Sequence, residues 1–122
     1  MTKKIIVTNN PLLKDKFNSE ILEYCQNLEE VYKRTRNLIH QGYILITHPL
    51  AGSLKPYQNP YRSIAVQKGE ELDYFSLRQI EGALQKMKQF APEEKNFDNY
   101  SDEVKEDYQL IDYSLLESGK IK

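Results

Sequence analysis

The chain has 122 residues, 39% hydrophobic and 29% charged, with 17 basic against 18 acidic side chains. That size suits one domain around a single modest core, the near-neutral balance argues against a general nucleic-acid binder, and no apolar run approaches the roughly 20 residues of a membrane helix. One cysteine and two histidines rule out an internal disulfide and leave no ligand set for a structural metal, so neither metal nor cofactor is expected.

Lys4–Thr8, KIIVT, reads as a buried strand of a parallel or mixed sheet. The apolar run at this end is too short for a signal peptide, and the lone Cys25 fits a reducing compartment; both point to the cytoplasm. The strand stops at Asn9-Asn10-Pro11. Asn10 suits a helix N-cap and Pro11 the first helical position, which predicts a short helix to about Phe17. Ser19–Cys25 is ambiguous. Its alternation puts Ile21, Glu23 and Cys25 on one face and Leu22 and Tyr24 on the other, which favours a strand, although the same letters could extend a helix.

Leu28–Gln41 is the clearest helix. Positions 28, 31, 32, 35, 38 and 39 form an i, i+3, i+4, i+7 stripe. Asn27 caps it, Glu30 completes a capping-box pattern, and Gly42 is the expected stop. Tyr43–Thr47, YILIT, follows as a second buried strand, so strand, helix and strand make a βαβ-type unit with an expected right-handed crossover. Arg62–Gln67 is a further strand candidate of open direction, and Lys68-Gly69 turns the chain. A long helix begins at Asp73 or Ser76 and runs to about Phe90, with Leu77, Ile80, Ala83, Leu84 and Met87 as its core stripe. Gly82 within it suggests a close helix contact. Ser101 caps a last helix with Val104, Tyr108, Ile111 and Leu115 on one face. The expectation is a single α/β domain of two or three layers, with a mostly parallel sheet of three or four strands flanked by helices. Residues 1–69 carry the motifs and 70–122 the C-terminal helices.

Charge is unevenly spread. No Asp or Glu occurs from Val31 to Gly69, while nine acids crowd Glu93–Glu117. The acidic part either docks on the basic middle, within one subunit or across two, or the middle forms a pocket for a small anion. Between YILIT and RSIAVQ lies THPLAGSLKPYQNPYRS, residues 47–63. Its irregular part of about 14 residues falls in the range where structureless loops become uncommon and are often functional. Pro49, Pro56 and Pro60 stiffen it, and Tyr57, Tyr61, Lys55 and Arg62 supply aromatic surface and positive charge.

Ligands of open α/β sheets bind beyond the carboxyl ends of the strands. If the strands ending at Thr8 and Thr47 are parallel neighbours, Thr8, Asn9, Asn10, Thr47, His48, Gly52 and Ser53 converge there, with Lys55 and Arg62 on the rim. His48 is the best candidate for acid–base chemistry, but no acid nearby in sequence orients it and Ser53 lacks nucleophile-elbow glycines. No phosphate-loop pattern is present. Asn10 reads equally as a plain cap, His48 as a group pinning the loop, Gly52-Ser53 as a turn, and Cys25 as core.

KKIIVTNNPLL and LIHQGYILITHPLAGSLKPYQNPYRS together resemble the GrdX family, small proteins encoded with the glycine, sarcosine and betaine reductase systems of amino-acid-fermenting anaerobes. The likeness spans about the first 70 residues, and the THPLAGSLKP block is its most specific part. By matching position the motif residues are Thr8, Asn9, Asn10, Pro11, Thr47, His48, Pro49, Gly52, Ser53, Lys55 and Pro56. The resemblance implies a cellular context and no defined activity. It favours an accessory or regulatory protein that binds reductase components or a small anionic metabolite. A His48-based enzyme and a structural homodimer module whose loop builds the interface stand as alternatives.

Overall fold

The computed structural model describes residues 3–50, 59–91 and 99–119. In chain order the elements are β1 (Lys4–Thr8), α1 (Leu13–Lys16), a 3-10 turn (Ser19–Ile21), β2 (Leu22–Tyr24), α2 (Leu28–His40), β3 (Tyr43–Leu45), β4 (Ser63–Lys68), α3 (Tyr74–Gln89) and α4 (Asp102–Ser118). The ambiguous 19–25 stretch divides: its first half is a helical turn and its second half a strand.

The four strands form one open sheet in the order β2-β1-β4-β3. β1 and β2 are parallel, with Ile6 opposite Leu22, whereas β4 is antiparallel to both of its neighbours. The sheet is therefore mixed, not mostly parallel. The physical reason lies in the connections. Parallel neighbours need a crossover, usually helical. No helix occurs among the described residues between β3 and β4, and β4 runs back beside β3. β2 and β3 do run the same way on either side of α2, but they occupy opposite edges.

The β3–β4 ladder ends in a bulge. The N–H groups of Ile46 and Thr47 both reach the Ala65 carbonyl, at 2.8 and 3.4 Å, so two residues oppose one and the strand is re-aimed as it leaves the sheet. The expected YILIT strand thus keeps its ladder only over Tyr43–Leu45. Gly42 ends α2 at φ 100°, a left-handed conformation that suits glycine.

Side-chain alternation splits the core between the two sheet faces. On one face Ile5, Val7, Ile64, Val66 and Leu45 pack against Leu28, Val31, Tyr32 and Ile39 of α2 and Ile80, Ala83 and Met87 of α3. On the other face Ile6 packs with Leu13 of α1 and Leu116 of α4, flanked by Phe17, Ala65 and Tyr113. The architecture is three layers, helices–sheet–helices.

Helix starts follow the expected chemistry with small differences. The Asn27 side chain accepts from the Glu30 N–H at 2.9 Å, while the Glu30 carboxylate accepts from Gln26 N–H, one residue earlier than a capping box requires. Asp73 caps α3, accepting from both N–H and Oγ–H of Ser76 at 3.0 and 2.6 Å. The Ser76 Oγ in turn accepts from Leu45 N–H at 2.9 Å, which ties α3 to β3. Gly82 faces open space, with nothing within 4 Å of where a Cβ would stand, so the expected close helix contact is absent.

The largest departure is in α4. The expected stripe of Val104, Tyr108, Ile111 and Leu115 does not form the buried face. Val104 and Ile111 are 39% and 51% exposed, and the buried residues are Asp112 and Leu116. The helix is turned by about a quarter revolution because polar partners at the sheet end hold Asp112 inward.

Candidate functional site at the carboxyl end of the sheet

β1 ends at Thr8 and β3 leads into Thr47, but β4 lies between them. The loops after β1 and β3 are therefore not neighbours, and the start of β4, Arg62-Ser63, stands in the centre of the candidate site. Thr8 pairs directly with Ser63 in the β1–β4 register.

Asn9 works as a clamp. Its Oδ1 accepts from Arg62 N–H at 2.8 Å, its Nδ2 donates to the Pro60 carbonyl at 2.8 Å, and its own N–H reaches the Arg62 carbonyl at 3.4 Å. Asn59 continues this, with Oδ1 accepting from Tyr61 N–H at 2.9 Å and Nδ2 donating to the Tyr108 carbonyl at 3.1 Å. The exit limb of the long loop is fixed by these bonds. The entry limb is fixed by three others. Thr47 Oγ1 accepts from Ala65 N–H at 2.9 Å, Tyr32 Oη donates to the Pro49 carbonyl at 2.7 Å, and Arg62 Nη1 donates to the Leu50 carbonyl at 2.7 Å. Arg62 is 1% exposed. It is a buried strut joining the two described limbs, not the rim residue expected from the sequence.

A second network joins the sheet end to α4. Asn10 N–H donates to Thr8 Oγ1 at 2.9 Å, Thr8 Oγ1 and Ser63 Oγ are 2.7 Å apart, and Ser63 Oγ donates to Asp112 Oδ2 at 2.6 Å. An ionised carboxylate accepts only, so with Asp112 charged the proton order is set from the Asn10 amide through Thr8 and Ser63 to Asp112. Asn10 Nδ2 adds bonds to Asp112 Oδ2 at 3.0 Å and to the Gln109 carbonyl at 2.9 Å. Its Oδ1 accepts from Leu12 N–H at 3.0 Å, a local turn that delays α1 to Leu13. Burial pushes the Asp112 carboxyl above its ordinary value, and the bonds from Ser63 and Asn10 and the nearby Arg62 charge partly oppose this.

The sequence-predicted residues thus divide. Thr8, Asn9, Asn10 and Arg62 come together at one end of the sheet, and all are buried. Thr47 is buried on the β3 side. His48 is exposed and, among the described residues, makes no side-chain hydrogen bond or ion pair. Gly52, Ser53 and Lys55 lie outside the described residues. Sequence reasoning missed Ser63, Asn59 and Asp112. Ser63 was legible as the first residue of a strand pairing with Thr8, had the antiparallel direction been known. Asp112 gave no signal, because an acid amid eight others on an acidic stretch reads as solvated surface.

Other chemistry nearby is limited. Burial first, then Glu30 and Glu23, push the Cys25 thiol up to about 11, so its nucleophilic form is suppressed. Glu23 is bound in a fork by Arg34 Nε and Nη2, which holds its carboxyl below the ordinary value. An open cleft of about 360 Å³ runs between α1 and α4, lined by Pro11, Leu12, Asp15, Glu106, Gln109 and Leu110. Its two carboxylates are the wrong sign for an anion. Among the described residues no group of three or more His, Cys, Asp or Glu could hold a metal ion, and no helix is long and apolar enough to cross a membrane.

A family model described as GrdX-like protein matches residues 5–120. The chain belongs to the GrdX-like family. The match extends the likeness of the first 70 or so residues through α3 and α4, so the polar network around Asp112 lies inside the family-matched region of this GrdX-like chain. No curated protein and no solved structure matches it.

Proposed function

We propose that this GrdX-like protein is a cytoplasmic accessory or regulatory protein of a glycine, sarcosine or betaine reductase system, which recognises a reductase component or a small anionic metabolite at the carboxyl end of its sheet. One observation carries this reading: the motif residues Asn9, Thr47 and Pro49, with Arg62, hold both limbs of the 46–62 connection to the sheet. Limbs fixed in advance lower the ordering cost of binding, which favours recognition. The side chains that could do chemistry are arranged differently. His48 is exposed without an orienting group, and the Ser63 hydroxyl is held by Thr8 and Asp112.

Pull-down of purified reductase components on the full chain tests the reading, alongside thermal shift with glycine, sarcosine, betaine, acetyl phosphate and phosphate. Capture of a component, or a saturable shift with one ligand, supports it. Neither result with any of these rejects it. A His48→Ala variant separates recognition from catalysis: on this reading it alters affinity at most, whereas abolition of a turnover reaction assigns His48 a chemical role. Light scattering of the wild type reads self-association through the same face.

A further inference from the structure

α4 buries a carboxylate and leaves much of its apolar side in solvent. Of its 17 residues only Asp112 and Leu116 are buried, while Val104, Leu110 and Ile111 stand 39%, 55% and 51% exposed. An apolar stripe usually faces the core. Here one small apolar contact, Leu116 with Ile6 and Leu13, is joined by polar bonds at the sheet end: Asp112 Oδ2 to Ser63 and Asn10, the Gln109 carbonyl to Asn10 Nδ2, the Tyr108 carbonyl to Asn59 Nδ2, and Gln109 Nε2 to Tyr61 Oη. A segment with few buried apolar contacts opens at low free energy relative to the core.

The groups that hold Asp112 are positioned without it. The Ser63 hydroxyl is aligned by Thr8, which is aligned by the Asn10 amide. The Asn10 side chain is oriented through its Oδ1 by Leu12 N–H. Arg62 is braced by the Leu50 carbonyl and adds its charge to the Asp112 environment. All three lie where β1 ends and β4 begins. Donors that converge in a buried place and are fixed in advance suit a carboxylate, because a buried charge is tolerated only where it is hydrogen-bonded and paired.

We propose that Asn10 Nδ2, Ser63 Oγ and Arg62 form a binding niche for a small carboxylate, and that Asp112 of α4 is its internal occupant, displaced with the helix when a free carboxylate binds. This rests on the reading that the carboxyl end of the sheet is the recognition site, and it supplies that reading with a ligand class and a moving part. α4 is then the element whose release reports ligand, and its exposed Val104–Ile111 side becomes freer to contact other proteins.

The probe is acetate, against chloride at matched ionic strength, on the full chain. Asp112→Ala empties the niche. In that variant acetate gives saturable shifts of the Asn10 and Ser63 amide resonances, with affinity at least about tenfold tighter than in the wild type, which must first release its own carboxylate. Adding Ser63→Ala to Asp112→Ala removes the binding. In the wild type, acetate accelerates amide exchange across 102–118 and leaves α2 unchanged. A folded Asp112→Ala variant that does not bind acetate, or binding that survives Ser63→Ala, overturns the proposal. Should Asp112→Ala not fold, the wild-type exchange experiment decides alone, and equal exchange in acetate and chloride overturns it. Partner capture in the preceding test is independent: capture without any acetate effect rejects the niche and keeps the recognition surface, and acetate binding without capture or metabolite shift does the reverse.

Discussion

On one face of the sheet α2 and α3 bury Val31, Tyr32, Ile39 and Ile80 completely against Val7, Ile64 and Val66. On the other face α4 delivers a carboxylate to Asn10 and Ser63 and leaves Val104, Leu110 and Ile111 in solvent. The first interface is a close-packed apolar core, whose strength grows with area buried. The second combines a small apolar cluster of Ile6, Leu13 and Leu116 with a few directional bonds whose partners are costly to leave unmade. On the reading proposed above, the chain separates the task of staying folded from the task of offering a site. The apolar layer stabilises the sheet, and the polar layer sits at its carboxyl end where recognition is expected.

The largest test of that division is Ile64→Ala. The residue is fully buried in the α2–α3 layer, and the change is expected to cost about 2–5 kcal/mol of global stability by urea titration. A loss comparable to a surface change would break the comparison on its apolar side. Next comes Asp112→Ala, which strands the Ser63 and Asn10 donors and is expected to cost about 1–3 kcal/mol. Asp112→Asn keeps an acceptor there and loses less. The pH dependence has a definite sign. Burial holds the folded-state carboxyl above its ordinary value, so its favourable contribution is complete below that ordinary value and is lost as pH rises through the raised one. Stability of the wild type relative to Asp112→Asn therefore falls with rising pH over that window. A rise instead would mean that the bonds from Ser63 and Asn10 and the Arg62 charge outweigh the cost of burial.

The same division explains what the sequence made legible. α2 was readable to within a residue because its period-3.6 stripe is the face that buries, and Asn27 marks its start. β1 was readable because Ile5, Ile6 and Val7 are all covered, on both faces of the sheet. α4 was found as a helix, but its orientation was misread. The rule that an apolar stripe points inward gave Ile111, whereas the bonds to Asp112 turned the helix. Polar docking leaves no periodic trace. The mixed sheet was missed for a related reason: strand direction depends on whether 46–62 crosses over or turns back, and periodicity within a strand is blind to that. Of the site, Asn9, Asn10 and Arg62 were identified as residues but not in their geometry. Asn9 and Arg62 hold the loop, and their partner atoms are backbone carbonyls and amides, which sequence does not mark.

Two smaller tests sharpen the contrast. Asn27→Ala removes the acceptor for Glu30 N–H at the start of α2 and is expected to cost about 1 kcal/mol in the same titration. Ile111→Ser, at the centre of the stripe that the sequence suggested was core, is expected to change stability by no more than about 0.5 kcal/mol, because the side chain is half exposed. A loss of several times that size would show that the stripe is packed after all.

The central claim is that α4 is a separately releasable element held at the carboxyl end of the sheet by the Asp112 network. Native-state amide exchange, compared between α4 and the α2–α3 layer in the wild type and in Asp112→Asn, measures this most directly. The account predicts that amides of 102–118 open at clearly lower free energy than those of α2 and α3, and that Asp112→Asn changes the α4 opening while leaving α2 and α3 as they were. Exchange of all three helices through one common global opening, shifted together by the substitution, would contradict it.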